Sequence, residues 1–191
     1  MKVLLADDNA ERASALADIL AADPKLQVLR VRVAEALSDA VATHAPDVVL
    51  VDMARPDRDA LDGIRQVSKH APRPIVLFVD EDDPSFMEEA ITAGVSSYNV
   101  AGTPPPDVKP ILRAAAALFR RHQEARHGLQ AAETRLRERE LVDRAKALLI
   151  RKRRLTEPEA YRWLRSQAMS RGRRIVDLAA ELLNEGAEDA R

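Results

Sequence analysis

The sequence predicts an α/β protein with a doubly wound, five-stranded parallel sheet domain, followed by a helical C-terminal part. Over the first 100 residues, short apolar runs alternate with stretches of helical spacing, which is the pattern of a parallel sheet covered by helices. Beyond residue 110 no strand-like run recurs, and residues 111–154 contain no proline and only one glycine, Gly128. Alanine and leucine supply most of the apolar content there, and both favour helix.

Five short runs rich in β-branched or aromatic residues are the predicted strands: 3–6, 26–33, 48–51, 75–79 and 95–100. The first, third and fourth runs are uniformly apolar, as strands covered on both faces should be. Stretches with helical spacing separate them, at 10–22, 34–45, 60–70 and 84–93. A fifth helix is predicted to begin near Asp107, after a proline-rich turn.

The fifth helix is predicted to continue through Arg154 and to carry a heptad seam. Residues at 3–4 spacing form this seam: Ala115, Leu118, His122, Ala125, Leu129, Ala132 and Leu136. Such spacing is typical of a dimeric coiled coil. A single amphipathic helix packing on its own domain is the alternative.

The last 50 residues predict three helices, the first being the end of the long helix. Thr156 and Glu159, with Pro158 between them, have the spacing of a capping box, which marks a helix start. The final helix begins near Ile175, and Gly186 is expected to end it.

Charge is divided unevenly along the chain, although the formal net charge is −1. Residues 1–110 hold 11 Lys and Arg against 19 Asp and Glu, whereas residues 111–191 hold 19 against 12. This asymmetry suggests two domains with different partners, and a polyanion suits the basic half.

The composition also limits the location and chemistry of the protein. There is no cysteine, which excludes disulfides and thiolate metal sites and favours the cytoplasm. No signal peptide is evident, and no apolar run approaches the roughly 18 residues of a membrane span.

Three carboxylates are expected at the carboxyl edge of the predicted sheet: Asp7 and Asp8 after the first strand, and Asp52 after the third. Convergent carboxylates suit a hard divalent cation such as Mg²⁺, and one of them can act as a nucleophile toward phosphate. A solvated acidic turn, or a pocket retained for stability, is the alternative.

The segments VLLADD, VVLVDMARP and AGVSSY resemble a response-regulator receiver domain over residues 1–120. The resemblance implies that Asp52 is the phosphoacceptor candidate and that Asp7 and Asp8 help to bind Mg²⁺, with no other cofactor required. Two switch positions depart from the family: Val79 replaces a hydroxyl residue and Ala101 replaces a lysine. Neither side chain can contact a phosphoryl group with a hydrogen bond or a positive charge, so the domain is interpreted as a pseudo-receiver.

Residues 141–174 hold 11 Lys and Arg against 3 Asp and Glu. The segment DRAKALLIRKRRLTEPEAYRWLRSQAMSRGRRIVDLAAELL resembles the ANTAR domain, an RNA-binding antitermination module, and its bounds are set at 136–186. The resemblance implies RNA contacts from basic side chains: Lys146, Arg153, Arg165, Arg171, Arg173 and Arg174. It also implies a compact core that contains Ala160, Ala168, Met169 and Ala179.

The whole layout resembles NasT-type and AmiR-like regulators, with RPIVLFVDEDDP and AITAGVSSYNV supporting the nitrate-assimilation branch. The resemblance implies a non-enzymatic antiterminator that binds a leader RNA with paired hairpins. It further implies a nitrate-sensing partner protein and a homodimer formed through a coiled-coil linker at 110–140.

Three other interpretations remain open at this point. The chain can be a phosphorylation-switched regulator with DNA-binding output, because a helical unit after a receiver often binds DNA. It can be a phosphatase-like enzyme that uses Asp52, although no general acid or cationic phosphate clamp is evident. It can also be an interaction adaptor whose basic face is only solvated.

Overall fold

The computed structural model describes residues 1–7, 9–32, 37–53, 58–100 and 104–188. The chain divides into two compact units, residues 1–123 and 124–191. The sequence predicts a receiver-like domain at 1–120, a linker at 110–140 and an ANTAR domain at 136–186. These bounds differ from the two units because they treat the linker as a separate segment, and they stay a prediction.

The first unit is a five-stranded parallel sheet in the order β2-β1-β3-β4-β5. Its elements alternate along the chain: β1 (Lys2–Asp7), α1 (Ala10–Ala21), β2 (Gln27–Val31), α2 (Leu37–His44), β3 (Val48–Met53), α3 (Arg58–His70), β4 (Ile75–Val79), α4 (Pro84–Ala93) and β5 (Ser97–Val100). The predicted fold class is confirmed.

Two apolar clusters cover the two faces of this sheet, because successive side chains of a strand point to opposite faces. Leu4 and Ala6 of β1 belong to one cluster, whereas Val3 and Leu5 belong to the other. All four are fully buried. The uniformly apolar strands thus form a doubly covered sheet, whose carboxyl edge holds the acidic residues.

The turn after α4 depends on Gly94, the glycine of the AGVSSY segment. Gly94 has a φ of 110°, and its backbone N–H closes the helix on Ala90 and Ile91. A β-carbon at this position would lie 2.1 Å from the Oγ of Ser68. Glycine is therefore required both by the backbone conformation and by the close approach of α3.

The helix α5 (Pro105–Arg153) begins in the first unit and is 49 residues long. Near its start Lys109 pairs with Asp23, and Arg113 approaches the same carboxylate at 3.8 Å. Ala115 is buried in the cluster formed with β1 and β3, so the prediction that it belongs to an intermolecular seam is wrong. No helix in the described part of the chain combines sufficient length with the apolar character of a membrane span.

The second unit contains the remainder of α5, followed by α6 (Glu157–Ser170) and α7 (Ile175–Glu188). Its core consists of alanine and leucine side chains: Ala145, Leu149, Ala160, Leu164, Ala168, Leu178 and Ala179. The capping box is confirmed, since the backbone N–H and the hydroxyl of Thr156 both donate to Glu159 Oε2, at 2.8 and 2.6 Å. This carboxylate satisfies helix-terminal donors and fixes where α6 begins.

Two predictions about this unit are wrong. The prediction that Met169 is a core residue fails because its side chain is 72% exposed, one position beyond the buried Ala168. A step of one residue rotates a side chain by about 100° around a helix, which moves it off the buried face. Gly186 was expected to end the last helix, whereas α7 continues to Glu188.

Candidate functional site

Asp7 and Asp52 lie side by side at the carboxyl edge of the sheet. They are register partners on the adjacent strands β1 and β3. The side chain of Asp7 is fully buried, and that of Asp52 is only 13% exposed. Two neighbouring carboxylates this poorly hydrated are stabilised by a compensating positive charge or by protonation.

The compensating charge comes from Arg12, in the first turn of α1. Its Nε and Nη2 atoms donate to the two carboxylate oxygens of Asp7, each at 3.0 Å. Nε also lies 3.4 Å from Asp52 Oδ2, and Nη1 lies 3.5 Å from Asp80 Oδ2. One guanidinium therefore contacts carboxylates at the carboxyl ends of three different strands.

The start of α1 sets the position of this arginine. The side chain of Asn9 caps the helix by accepting from the backbone N–H groups of Glu11 and Arg12, at 3.1 and 3.0 Å. The backbone N–H of Asn9 itself donates to Asp7 Oδ1 at 2.7 Å. The strand end and the first helical turn are thus joined through Asp7, which directs the Arg12 side chain back over the sheet edge.

These surroundings change the pKa values of the groups in the acidic pocket, which consists of Asp7, Arg12, Asp52 and Asp80. Burial raises the pKa of Asp52 from 3.8 to about 6, with Asp7 and Asp80 also raising it and Arg12 opposing the shift. The hydrogen bond to Asp7 raises the pKa of Arg12, so this side chain stays charged. The pocket therefore contains a permanent cation beside a carboxyl group that is easier to protonate than an ordinary aspartate.

The described residues do not fit a divalent cation in this arrangement. Among them, no group of three or more Asp, Glu, His or Cys side chains is placed to hold a metal ion. The guanidinium of Arg12 takes the place between Asp7 and Asp52 that a shared ion would need. Asp8, the third predicted ligand, lies outside the described residues. The Mg²⁺ site therefore stays a prediction.

The two predicted switch positions are described only in part. Val79 is the last residue of β4, is paired in register with Met53, and is 1% exposed. Its methyl groups can neither donate nor accept a hydrogen bond. Ala101 lies outside the described residues.

In the second unit, most of the basic residues predicted to contact RNA have protein partners. Lys146 bonds to Asp143 and Glu157 at 2.7 and 2.8 Å, and its side chain is 16% exposed. Arg171 and Arg173 both pair with Glu181, and Arg174 pairs with Glu138. Arg153 stacks over Trp163, 4.4 Å from the ring centroid. These contacts join α5, α6 and α7 around the core.

Arg165 differs from the other five. It is exposed on α6 and has no ion pair or hydrogen bond with any residue that the structure describes. Tyr161 and Met169, at positions i−4 and i+4, are 46% and 72% exposed. Because residues four apart share a helix face, these three side chains form one exposed stripe on α6, the "α6 stripe". It joins an aromatic ring, an uncompensated cation and a flexible apolar side chain.

Sequence reasoning missed Arg12 and the role of Met169. The signal for Arg12 lay in the segment DDNAER, where Asn9 is a strong N-cap and Arg12 falls three residues later. That position in the first helical turn is close to the end of the preceding strand, so a long cationic side chain can reach it. For Met169 the signal was its spacing of four from Arg165 on the polar face.

Two family matches cover most of the described chain. Residues 3–100 match the response regulator receiver domain, and residues 130–183 match the ANTAR domain. The receiver match spans more than half of the 191 residues. The chain therefore belongs to the response regulator receiver family, and it carries an ANTAR domain in its second unit.

The resemblance extends to a regulator with similar length. The chain is 29% identical over 185 residues to the transcriptional regulatory protein PdtaR of Mycobacterium tuberculosis, covering 95% of this chain and 90% of that protein. The BeF3-activated receiver domain of RstA from Klebsiella pneumoniae is similar at 26% identity with a TM-score of 0.54, covering 61% of this chain and 98% of that one. The chain is thus homologous to PdtaR as a receiver and ANTAR regulator.

A shorter similarity involves an enzyme. The chain is 39% identical over 82 residues to protein-glutamate methylesterase/protein-glutamine glutaminase 2 of Oleidesulfovibrio alaskensis. That match covers 40% of this chain and only 22% of that protein. A match of this length corresponds to a receiver-sized segment, and both family matches of this chain are to regulatory domains.

Proposed function

We propose that this protein is a transcription antiterminator that binds hairpin loops in leader RNA through its ANTAR domain. The observation that carries the proposal is the α6 stripe within the ANTAR segment 130–183. Arginine and aromatic side chains are the groups on which unpaired RNA bases stack, and single-stranded loops are where proteins read RNA sequence. Met169 supplies an adaptable apolar contact at the end of the same face.

The surrounding basic residues have a supporting role in this proposal. Arg171, Arg173 and Arg174 are 48%, 43% and 65% exposed at the side chain, although each has a carboxylate partner. Exposed ion pairs are weak, so a phosphate group can compete for these guanidinium groups. Lys146 is less available, because two carboxylates hold a side chain that is largely covered. Phosphate contacts position the RNA, while the α6 stripe contacts bases.

The proposed active form is a homodimer joined through α5. Leu118, Leu129 and Leu136 are 55%, 62% and 59% exposed, and they fall on the predicted heptad seam. Exposed leucines at this spacing are the pattern that a second α5 covers in a coiled coil. Two ANTAR domains on one dimer would each take one hairpin, and tethering would raise the effective concentration for the second contact.

Control by a partner protein, rather than mainly by phosphorylation, is the regulatory part of the proposal. Support comes from the buried Val79, which cannot hydrogen-bond a phosphoryl group, and from the position of Arg12 beside Asp52. Assignment to nitrate assimilation rests on the sequence resemblance to NasT-type regulators. Sequencing of RNA crosslinked to the protein tests it, and recovery of leaders unrelated to nitrogen metabolism would contradict it.

The RNA-binding surface is tested by charge removal at matched sites. Arg165→Ala should weaken binding of hairpin RNA, because it removes the uncompensated cation of the α6 stripe. Because Arg165 is assigned to base stacking, the slope of log K against log salt should become shallower by less than the roughly 0.7–0.9 expected for one lost phosphate contact. Arg126→Ala is the control, since Arg126 is an exposed arginine of the same unit outside the ANTAR segment. Equal losses for the two variants would contradict the assignment.

A further inference from the structure

A pocket that in the receiver resemblance should take a metal ion contains instead a cation of the protein itself. Arg12 Nε lies 3.0 Å from an oxygen of Asp7 and 3.4 Å from an oxygen of Asp52. A Mg²⁺ ion shared by these two carboxylates would have to lie about 2.0–2.1 Å from each oxygen. Such an ion and its bound water would overlap the guanidinium, so the two cations exclude each other.

We infer that Arg12 is the resident cation of this pocket, and that a divalent metal ion binds there only when Arg12 is displaced. Three observations support the inference. The fork of Arg12 matches both oxygens of the fully buried Asp7 carboxylate. The same guanidinium also reaches Asp52 and Asp80. The Arg12 side chain is 29% exposed, so it enters from the surface and has a route outward.

The geometry makes displacement unfavourable. Bidentate, charge-assisted hydrogen bonds are among the strongest that side chains form, and Arg presents a planar fork that Lys lacks. Removal of Arg12 from the pocket would leave Asp7 buried without its charged partner, which is costly unless the incoming ion replaces every contact. Arg12 therefore stabilises the acidic edge of the receiver unit without a metal ion. This inference does not depend on the proposed RNA-binding function of the second unit.

The test is metal binding to the full chain, measured by calorimetric titration with Mg²⁺ and, separately, with Mn²⁺. The wild-type protein should show no saturable site at concentrations up to about 1 mM, the weak end of biological divalent sites. Arg12→Gln should bind at least about tenfold more tightly, because the competing cation is gone and the carboxylates remain. Arg65→Gln is the matched control, since Arg65 pairs with the exposed Asp62 on α3; it should bind as the wild type does.

Arg12→Lys covers the case in which Arg12→Gln does not fold. Lysine keeps the charge but cannot form the fork, so this variant should bind metal more tightly than the wild type, by a smaller factor than the glutamine variant. The inference is overturned if the wild type binds Mg²⁺ with submillimolar affinity. It is also overturned if neither Arg12 variant that folds binds metal more tightly than Arg65→Gln.

Discussion

Arg12 and Asp7 form a bidentate ion pair, with two hydrogen bonds of 3.0 Å between the guanidinium and a carboxylate that has no solvent exposure. This pair lies where the first strand ends and the first helix begins, five residues apart in sequence. The positive charge of Arg12 partly compensates the negative charges of the carboxylates at the sheet edge. The consequences for stability and for binding can be measured separately.

The pH dependence of the receiver unit should reflect Asp52. Its pKa in the folded protein is about 6, above the ordinary value of 3.8. Between these values the folded state binds more protons than the unfolded state, so stability should fall as the pH rises from about 4 to about 6. Above the folded pKa this contribution should level off.

Asp52→Asn removes this titration and provides the comparison. The stability of the variant relative to the wild type should increase as the pH rises from 4.5 to 7. Urea unfolding followed by NMR at the β1 and β3 amides reports on the receiver unit alone. A stability difference between the two proteins that stays constant over this range, or decreases, would contradict the assigned pKa.

Replacement of Gly94 and of Gly63 by alanine should have different effects on the stability of the receiver unit. Gly94→Ala should destabilise the receiver unit by roughly 1–3 kcal/mol, because φ is 110° and the new β-carbon would meet Ser68 Oγ at 2.1 Å. Gly63→Ala should be neutral or stabilising by about 0.5–1 kcal/mol, since it lies inside α3 and meets nothing closer than 3.7 Å. The same amide-resolved unfolding measures both, and similar effects in the two variants would count against the described turn.

Substitutions at Ala168 and Met169 should have very different effects on the stability of the second unit. Ala168→Leu should overpack the core and cost roughly 1–3 kcal/mol, because Ala168 is 4% exposed. Met169→Ala should change stability by less than about 0.5 kcal/mol, since its side chain is 72% exposed. Trp163 is the only tryptophan in the chain, so its fluorescence during urea unfolding reports on this unit. A large loss of stability in Met169→Ala would show that the Met169 side chain is part of the core.

Tyr161 should contribute to RNA affinity through its ring. Stacking of an unpaired base on an aromatic side chain contributes roughly 1–3 kcal/mol, so Tyr161→Ala should weaken hairpin binding by about 5- to 150-fold. Tyr161→Phe keeps the ring and should retain most of the affinity. Filter binding at fixed salt measures both, with Trp163 fluorescence as the check on folding. Equal affinity of Tyr161→Ala and the wild type would exclude this ring from the interface.

Leu129 should be needed for dimer formation. Leu129→Glu places a charge on the exposed leucine seam and should shift the protein toward monomer, because two such charges would face each other in a coiled coil. Gln130→Glu adds the same charge one position off the seam and is the control. Sedimentation equilibrium of the full chain distinguishes them. A wild type that is monomeric at every accessible concentration would refute the proposed dimer.

The fold could be predicted from the sequence because its strongest signals are local. Uniformly apolar strands and the spacing of helical residues each specify their structure without reference to distant parts of the chain. The capping box at Thr156 and Glu159 was predictable for the same reason, since both partners lie within one helical turn.

The pocket and the basic surface were less predictable because they depend on side-chain direction. Arg12 reaches Asp52 and Asp80 only because α1 begins at a particular residue and points its first turn over the sheet edge. Met169 follows a buried alanine and looks like a core residue until the helix phase is known. Ala115 continues a regular heptad spacing, yet its position on α5 packs against the sheet. In each case the spacing was visible, but the orientation that decides the contact was not.

Competition between nucleic acids tests the central claim most directly. A labelled two-hairpin RNA should bind the full chain and be displaced by unlabelled hairpin RNA at fixed salt. Duplex DNA of equal charge should displace it only at a concentration at least about a hundredfold higher, because bases in a duplex are not open to stacking on the α6 stripe. Displacement by duplex DNA at the same concentration as by hairpin RNA would contradict the RNA-binding function and support a DNA-binding regulator.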